Sequence, residues 1–391
     1  MNKTPRANRV HIAIFGKRNS GKSSLINALT GQDIALVSSI RGTTTDPVFK
    51  SMEILPIGPV VLIDTAGLDD LGELGELRVK KTIQVLNKTD LAIIVIDAES
   101  GITEFDYDII KRIKDKKLPA IIVVNKIDLG KTEVENNDFP VVYVSSKTNA
   151  GINDLREELG KLYSEDENRF RIVGDLINPG DFVVLVTPID SAAPKGRVIL
   201  PQQQVLRDIL DHEGIGIVTR EFELEQTLNN LKEKPSMVIT DSQAFEMVSK
   251  VTPEDIPLTS FSILFARYKG DLEVLKQGAR TIETLSDGAK ILVAEGCTHH
   301  RQKDDIGTVK IPKWLKEYTG KDFKYDHYAG HGFPENVGEY DLIIHCGACM
   351  LNRKEVMHRI NTAQEMNIPI VNYGVLIAYI HKIFNRTVEI I

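Results

Sequence analysis

Cysteine is scarce in this sequence. The 391 residues hold three, Cys297, Cys346 and Cys349, and all lie in the last quarter. Three cysteines cannot build a disulfide framework, so they point to a reducing compartment and to site chemistry rather than cross-links. Long apolar runs are also missing. No segment approaches the ~18–20 apolar residues of a membrane span. The opening Met1-Asn2-Lys3-Thr4-Pro5-Arg6 has no apolar signal core, and a cytoplasmic location is expected. A basic excess is lacking too: 48 Lys and Arg against 55 Asp and Glu give a net charge of -7. That balance argues against a general nucleic-acid binder. Tandem repeats and low-complexity tracts are absent. What remains is an ordinary hydrophobic content of 42%, in a chain long enough for two or three domains.

The first stretch to carry chemistry follows the apolar run Val10 to Phe15. It reads Gly16-Lys17-Arg18-Asn19-Ser20-Gly21-Lys22-Ser23, then a helical pattern through Leu29. Strand, glycine-rich loop and helix together form the Walker A context. Its glycines let backbone N–H groups close around phosphate oxygens, and the helix N-terminus adds partial positive charge. Lys22 is expected to reach the β- and γ-phosphates and Ser23 to bind magnesium. Gly16, Ser20, Gly21 and Ser24 complete the candidate phosphate-binding set.

Further strand-end motifs name the base. Val60 to Ile63 leads into Asp64-Thr65-Ala66-Gly67, where Asp64 would hold magnesium through water and the Gly67 N–H would sense the γ-phosphate. Ile121 to Val124 leads into Asn125-Lys126-Ile127-Asp128. An aspartate there accepts from guanine N1–H and the exocyclic amine, which adenine cannot supply. Val141 to Val144 leads into Ser145-Ser146-Lys147, similar to the loop that contacts guanine O6. These motifs in order specify a GTP-binding domain.

Gly42-Thr43-Thr44-Thr45-Asp46 resembles switch I of the TrmE-Era-type translation-factor-class GTPases. The resemblance implies that Thr44, with Thr43 next, binds magnesium. It also implies that Asn19 helps to bind potassium beside the phosphates, in place of an arginine finger; a plain loop hydrogen bond is the alternative. Leu68 stands where Ras-like enzymes have a water-orienting glutamine, so slow, potassium-stimulated hydrolysis is expected. Asp69, Asp70, Glu73 and Glu76 follow. Glu76 lies at about the position of the family's catalytic glutamate, although a solvated acidic loop is the more common meaning of such residues.

Strands alternate with helices along the whole chain, which implies α/β architecture with doubly wound parallel sheets. Three domains are expected: a GTP-binding domain over 1–168, ending in the polar linker Ser164 to Asn168; a dimerisation domain over 169–262; and a cluster-binding domain over 263–391. The middle stretch shows strands at Phe182 to Val186, Gly216 to Thr219, Met237 to Thr240 and Phe261 to Phe265, but no phosphate loop or catalytic cluster. Its loop Ser191 to Arg197 reads as exposed. A sheet edge offers it a ready pairing surface.

The last stretch gathers the cysteines at strand ends. Ile291 to Ala294 runs towards Cys297-Thr298-His299, and Leu342 to Ile344 into His345-Cys346-Gly347-Ala348-Cys349. His327 to Pro334 reads as a glycine-rich loop with two histidines. Sites in open α/β sheets form at strand ends. Three thiolates there suit a 4Fe–4S cluster with one iron left for a fourth ligand. A Cys3His zinc site, a thiol redox pair and buried free cysteines are the competing readings. His299 and His345 are candidates for the fourth ligand or for hydrogen bonds around the sulfurs; Asp304 and Asp305 could supply an oxygen.

Cys-x-His followed by His-Cys-x-x-Cys, behind a GTPase domain, resembles the iron–iron (FeFe) hydrogenase maturation GTPases. The resemblance implies a dimeric scaffold or carrier with a 4Fe–4S cluster on Cys297, Cys346 and Cys349. It implies a di-iron precursor received from two radical-SAM maturases and passed to the hydrogenase apoprotein. A tRNA-modification-type GTPase and a zinc- or redox-sensing GTPase switch are the alternative functions.

Overall fold

The computed structural model describes residues 5–31, 47–65, 75–130, 133–134, 138–167, 171–188, 198–296, 305–330, 333–334 and 336–391, with backbone alone at 75–78 and 164–167. The chain divides into two compact units, Met1–Arg169 and Phe170–Ile391.

The first unit is a six-stranded sheet: β1 (Val10–Phe15), β2 (Val48–Ile54), β3 (Gly58–Asp64), β4 (Leu91–Asp97), β5 (Ala120–Asn125) and β6 (Val141–Tyr143), in the order β2-β3-β1-β4-β5-β6. β2 pairs antiparallel with β3, and the others run parallel. The sequence reading had not picked out β2, whose residues are mostly exposed or half-buried. β1, by contrast, is buried at every position. Such unbroken apolar strands require helices on both faces of the sheet. α1 (Lys22–Thr30), α2 (Gly75–Leu86), α3 (Glu104–Asp115) and α4 (Ile152–Glu167) alternate with the strands. The helix α4 runs through Glu167, where a polar linker had been expected; the segment contains no glycine or proline to stop it.

The second unit holds two four-stranded parallel sheets. One has β7 (Phe182–Val186), β8 (Ile215–Thr219), β9 (Met237–Thr240) and β10 (Leu258–Ser260), in the order β10-β9-β7-β8. The other has β11 (Lys290–Glu295), β12 (Lys324–Ala329), β13 (Leu342–His345) and β14 (Ile370–Asn372), in the order β12-β11-β13-β14. Its helices are α5 (Leu200–Asp211), α6 (Leu224–Asn230), α7 (Phe245–Val251), α8 (Phe261–Lys269), α9 (Leu272–Arg280), α10 (Ile311–Thr319), α11 (Arg353–Glu365), α12 (Tyr373–Ile380) and α13 (Phe384–Thr387).

Two expectations are corrected here. Phe261 to Phe265 is helical, not a strand. The strand is Leu258–Ser260, and Ser260 caps α8 by accepting from the Ile263 N–H at 3.2 Å. A short apolar run fits a buried strand or a buried helix, and periodicity cannot separate them. His327 to Ala329 is not loop but part of β12, paired with β11 through Ala329 opposite Glu295. Its half-exposed position on the sheet edge explains the polar residues that hid it.

One apolar cluster joins both sheets. Val184 and Val238 from the first, Ile291, Val293 and Ile344 from the second, and Val375, Leu376 and Ile377 of α12 all belong to it. Gly278 of α9 lies against β14. A Cβ there would overlap the Ile370 carbonyl. Helix propensity favours alanine over glycine by about 1 kcal/mol. We predict that G278A nevertheless destabilises the chain by about 2 kcal/mol through overpacking, read from its chemical denaturation midpoint. A more stable variant would contradict the packing described.

Candidate functional site

The phosphate loop follows β1, which has β3 on one side and β4 on the other. Such a switch point opens a crevice beyond the strand ends. Gly16, at φ 148°, can bear no side chain because a Cβ would strike the Val95 carbonyl. Asn19 is exposed and takes the left-handed conformation, φ 67°. Lys22 is buried, and its ammonium donates to the carbonyls of Gly16 and of Lys17, the latter at 2.9 Å. Ser23 and Ser24 are exposed in the first turn of α1. The Ser20 hydroxyl is buried without a hydrogen-bond partner. The loop thus closes on itself through a lysine whose three protons suit phosphate oxygens equally well.

Asn125 ties this loop to the base-recognition loops. Its Nδ2 donates to the Ser20 carbonyl at 3.0 Å, and its Oδ1 accepts from the Ser146 N–H at 3.0 Å and hydroxyl at 2.9 Å. Gly21 must be glycine because a Cβ would strike Asn125 Nδ2. Lys126, at φ 68°, pairs with Asp97 at 2.6 Å. Burial works against the Asp97 charge, but the Lys126 hydrogen bond and charge hold its carboxyl below the usual range. The Ser145 hydroxyl donates to Asp128 at 2.6 Å, and this bond is the main reason that Asp128 stays ionised to lower pH than a free aspartate. Lys147 is exposed beside them. Asp64 is buried at the end of β3. Thr44 and Gly67 lie outside the described residues, and Glu76 is described by its backbone alone, in the first turn of α2. Asp97 is the residue that motif reading missed; its only signal is its place at the end of β4.

The cysteine loop lies at the other sheet. β11 and β13 are neighbours, with Ala294 opposite His345, so both lead out at the same sheet end. Cys346 donates its N–H to the Ala294 carbonyl at 3.0 Å. Its Sγ accepts from the N–H groups of Gly296 at 3.1 Å and Ala348 at 3.4 Å. Ala348 adopts φ 55° and turns the chain back towards Cys349. Both cysteines are partly exposed and free of disulfides. In the absence of a metal, burial pushes both thiols up. Cys297 and His299 lie outside the described residues, and among the described residues no three His, Cys, Asp or Glu converge on a metal-sized site.

His345 is almost wholly buried. Its Nδ1 bonds the Cys346 carbonyl at 2.7 Å and its Nε2 meets Arg359 Nη1 at 3.0 Å. Donor and acceptor roles follow: Nδ1 carries the proton and Nε2 accepts from the guanidinium. Burial first, then the Arg359 charge, push the imidazole down to about 3, so it is neutral at physiological pH. Both ring nitrogens are therefore committed here, as hydrogen-bonding supports of the loop. Arg359, 1% exposed, also donates to Gly330 at 2.7 Å. Asp305 accepts from the Thr308 N–H and hydroxyl, both at 2.8 Å.

Two cations here went unnoticed in the sequence. Lys269 is 2% exposed and donates to the carbonyls of Ala348 at 3.1 Å, Cys349 at 3.3 Å and Leu351 at 2.7 Å. No sequence signal separates it from Arg267, two residues away on the outer face. Arg359 reads equally as a solvated residue of an amphipathic helix.

Sequence models of two domains cover most of the second unit: the Hydrogen maturase F dimerization domain matches residues 172–270, and the Hydrogen maturase F tetramerization domain matches 273–390. The chain belongs to the hydrogen maturase F family. This is the family that the cysteine and GTPase motifs together resembled. A third model, of the 50S ribosome-binding GTPase, matches residues 11–126 and shows the first unit to be a GTPase domain. The tetramerization model covers the cysteine loop, and the two models together agree with the dimer expected from sequence or with a larger oligomer. Curated relatives share less of the chain. The tRNA modification GTPase MnmE of Dechloromonas aromatica is 37% identical over 154 residues, covering 38% of this chain and 34% of that protein. GTPase Der of a Sulfurihydrogenibium species is 38% identical over 174 residues, covering 40% and 39%. The chain thus spans well under half the length of these relatives. The solved G domain of the T. maritima FeoB iron transporter is 28% identical, with a TM-score of 0.32, over 40% of this chain and 99% of that one.

The base-recognition geometry generates a prediction. Two hydrogen bonds to a charged group, each worth roughly 1.5–3 kcal/mol, amount to about 100-fold or more in affinity. Asp128→Asn should lose GTP affinity by about that factor and gain affinity for xanthosine triphosphate, whose C2 carbonyl accepts from an amide. Fluorescent-nucleotide titration reads both; undiminished GTP affinity would remove Asp128 from the site.

Proposed function

We propose that this chain is a GTP-hydrolysing scaffold and carrier in FeFe-hydrogenase maturation. It holds a 4Fe–4S cluster on Cys297, Cys346 and Cys349, accepts a di-iron precursor from two radical-SAM maturases, and passes it to the hydrogenase apoprotein. The observation behind this reading is the pair of N–H donors aimed at Cys346 Sγ where two adjacent strands end. Such donors stabilise a thiolate ligand. Ligation displaces the thiol protons, which burial otherwise retains. When bound, the cluster supplies an iron site at which cargo can exchange. His345, held neutral between the Cys346 carbonyl and Arg359, fixes the loop backbone and hydrogen-bonds beside the sulfur.

In the GTPase unit, Lys22 would exchange its loop carbonyls for the β- and γ-phosphates. Ser23, Thr44 and Asp64 would hold Mg2+, and Asn19 would help to hold K+, giving slow, potassium-stimulated turnover. Hydrolysis releases the switch segments from the γ-phosphate, which suits a timing role in cargo delivery.

The dimer is proposed through β8. This edge strand exposes Ile215 and Val218, with Leu210 and Phe222 nearby, at 43, 46, 55 and 73%. An apolar edge of this kind invites strand pairing with a second copy. We predict that Val218→Lys shifts the chain from dimer to monomer in sedimentation while GTP hydrolysis per chain persists. An unchanged dimer mass would place the interface elsewhere.

The cluster is tested on protein reconstituted with iron and sulfide under anaerobic conditions and reduced with dithionite. The electron paramagnetic resonance signal of a reduced 4Fe–4S cluster should be present, and lost in Cys297→Ser, Cys346→Ser and Cys349→Ser. Folded, GTP-binding protein that retains no iron and instead holds stoichiometric zinc would replace this reading with a zinc or thiol switch.

A further inference from the structure

Lys269 stands at the last position of α8, in the C-terminal turn where carbonyl groups lack helical partners. It nevertheless turns inward. Its ammonium reaches across more than seventy residues of sequence to three carbonyls of a single short loop: Ala348, Cys349 and Leu351. The return contact comes from the far end of that loop. Arg353 Nη1 donates to the α8-terminal carbonyls of Tyr268 at 2.8 Å and Gly270 at 3.4 Å. At the other end of α8, Ser262 lies against Gly347 and accepts from Asn372 Nδ2 at 3.1 Å and the Gly374 N–H at 3.2 Å. The cysteine loop is therefore clasped to α8 at both ends.

Placing a lysine this deep is costly unless all three of its protons find acceptors. Here they do, and the acceptors are backbone atoms of the loop bearing two thiols. An apolar residue in that space would leave the Leu351 and Ala348 carbonyls buried without this donor. The arrangement fits a residue selected for the loop it holds.

We propose that Lys269 is a positioning residue for the Cys346–Cys349 pair: its ammonium fixes the loop so that both sulfurs present one pocket to metal, and it supplies a fixed positive charge beneath the bound thiolates. The proposal rests on the thiolate-site reading above. Bonds that orient ligands from outside typically contribute 10–100-fold to metal affinity.

The test uses the full-length apoprotein and cobalt(II), whose thiolate charge-transfer absorption reports cysteine ligation without iron or sulfide. K269M should bind cobalt about tenfold more weakly by that band than wild type, with GTP binding unchanged as the control for folding. K269R, which keeps the charge and the donors, should recover most of the affinity. K269Q keeps two N–H donors in the same space and serves in place of K269M should methionine prevent folding. After reconstitution with iron and sulfide, the neutral variants should show a more negative reduction potential than K269R and wild type, because a nearby cation favours the more anionic reduced state. A merely structural lysine would leave the potential of the folded variants unmoved. Wild-type protein without the cobalt–thiolate band overturns the thiolate site itself. A band of equal strength and affinity in wild type and in the neutral variants overturns the role of Lys269 alone.

Discussion

Two helices buried over most of their surface determine how the second unit is built. α12 is buried through Tyr373, Val375, Leu376, Ile377 and Ala378, and α8 through Phe261, Ile263, Leu264, Phe265 and Ala266. A helix that is apolar over most of its circumference must be enclosed over that circumference. α12 meets that requirement in the cluster shared by both sheets. α8 meets it by contributing Ile263 to that cluster, Phe261, Leu264 and Phe265 to the core around β7 and β9, and Ala266 to the core beneath the cysteine loop. The two sheets therefore share packing that neither could complete alone. The cysteine loop inherits its place from this packing, since β13, α8 and the start of α12 all touch it.

The GTP site obeys a different constraint. Its loops come from separate strand ends and have to be tied to one another. Asn125 joins the phosphate loop to Ser146, and the Ser145–Asp128 bond orders the proposed guanine acceptor. The close approach of Gly21 to Asn125 is what permits this junction. Base recognition and phosphate binding are thereby geometrically linked before nucleotide arrives. Hydrogen bonds within the protein keep buried Lys22 and exposed Asp128 occupied with partners that nucleotide can replace, so Lys22 does not stand as an unpaired buried charge.

How much of this was legible in the sequence depends on whether a residue acts through its type and spacing or through its surroundings. Glycine spacing after a strand fixed the phosphate loop, because only glycine tolerates φ 148° at Gly16 and the close carbonyl of Val95. Strands such as Phe182–Val186 and Met237–Thr240 were readable to the residue, being short apolar runs between polar breaks. Phe261 to Phe265 was misread because burial on every side erases helical periodicity. β12 was missed because an edge strand lacks the apolar signature. His345 drew notice as a metal-binding type, yet its role is set by Arg359, fourteen residues on and a helix away. Lys269 and Arg359 are invisible to pattern reading, since a charged residue in a helix is usually solvated.

Those two cations make sense together when the charge of the proposed ligand is counted. A group held by thiolates is anionic, and an anion carried into a partly enclosed loop loses hydration that the protein must replace. N–H dipoles at Cys346 offer part of the replacement. Lys269 and Arg359, exposed at 2% and 1%, offer full charges already stripped of water. Burial pushes the Lys269 ammonium down to about 8 and the Arg359 guanidinium down as well, and carbonyls of the loops they hold, namely Ala348, Cys349, Leu351 and Gly330, offset part of that cost. His345 stays neutral beside Arg359 and adds no further charge. The cost of assembling this positive environment is met when the chain folds. Binding an anionic group then requires little reorganisation, and losing one leaves the loop still held. For a scaffold of the kind proposed, which would accept and then release a cargo, a loop whose shape does not depend on being filled is the arrangement that the chemistry favours.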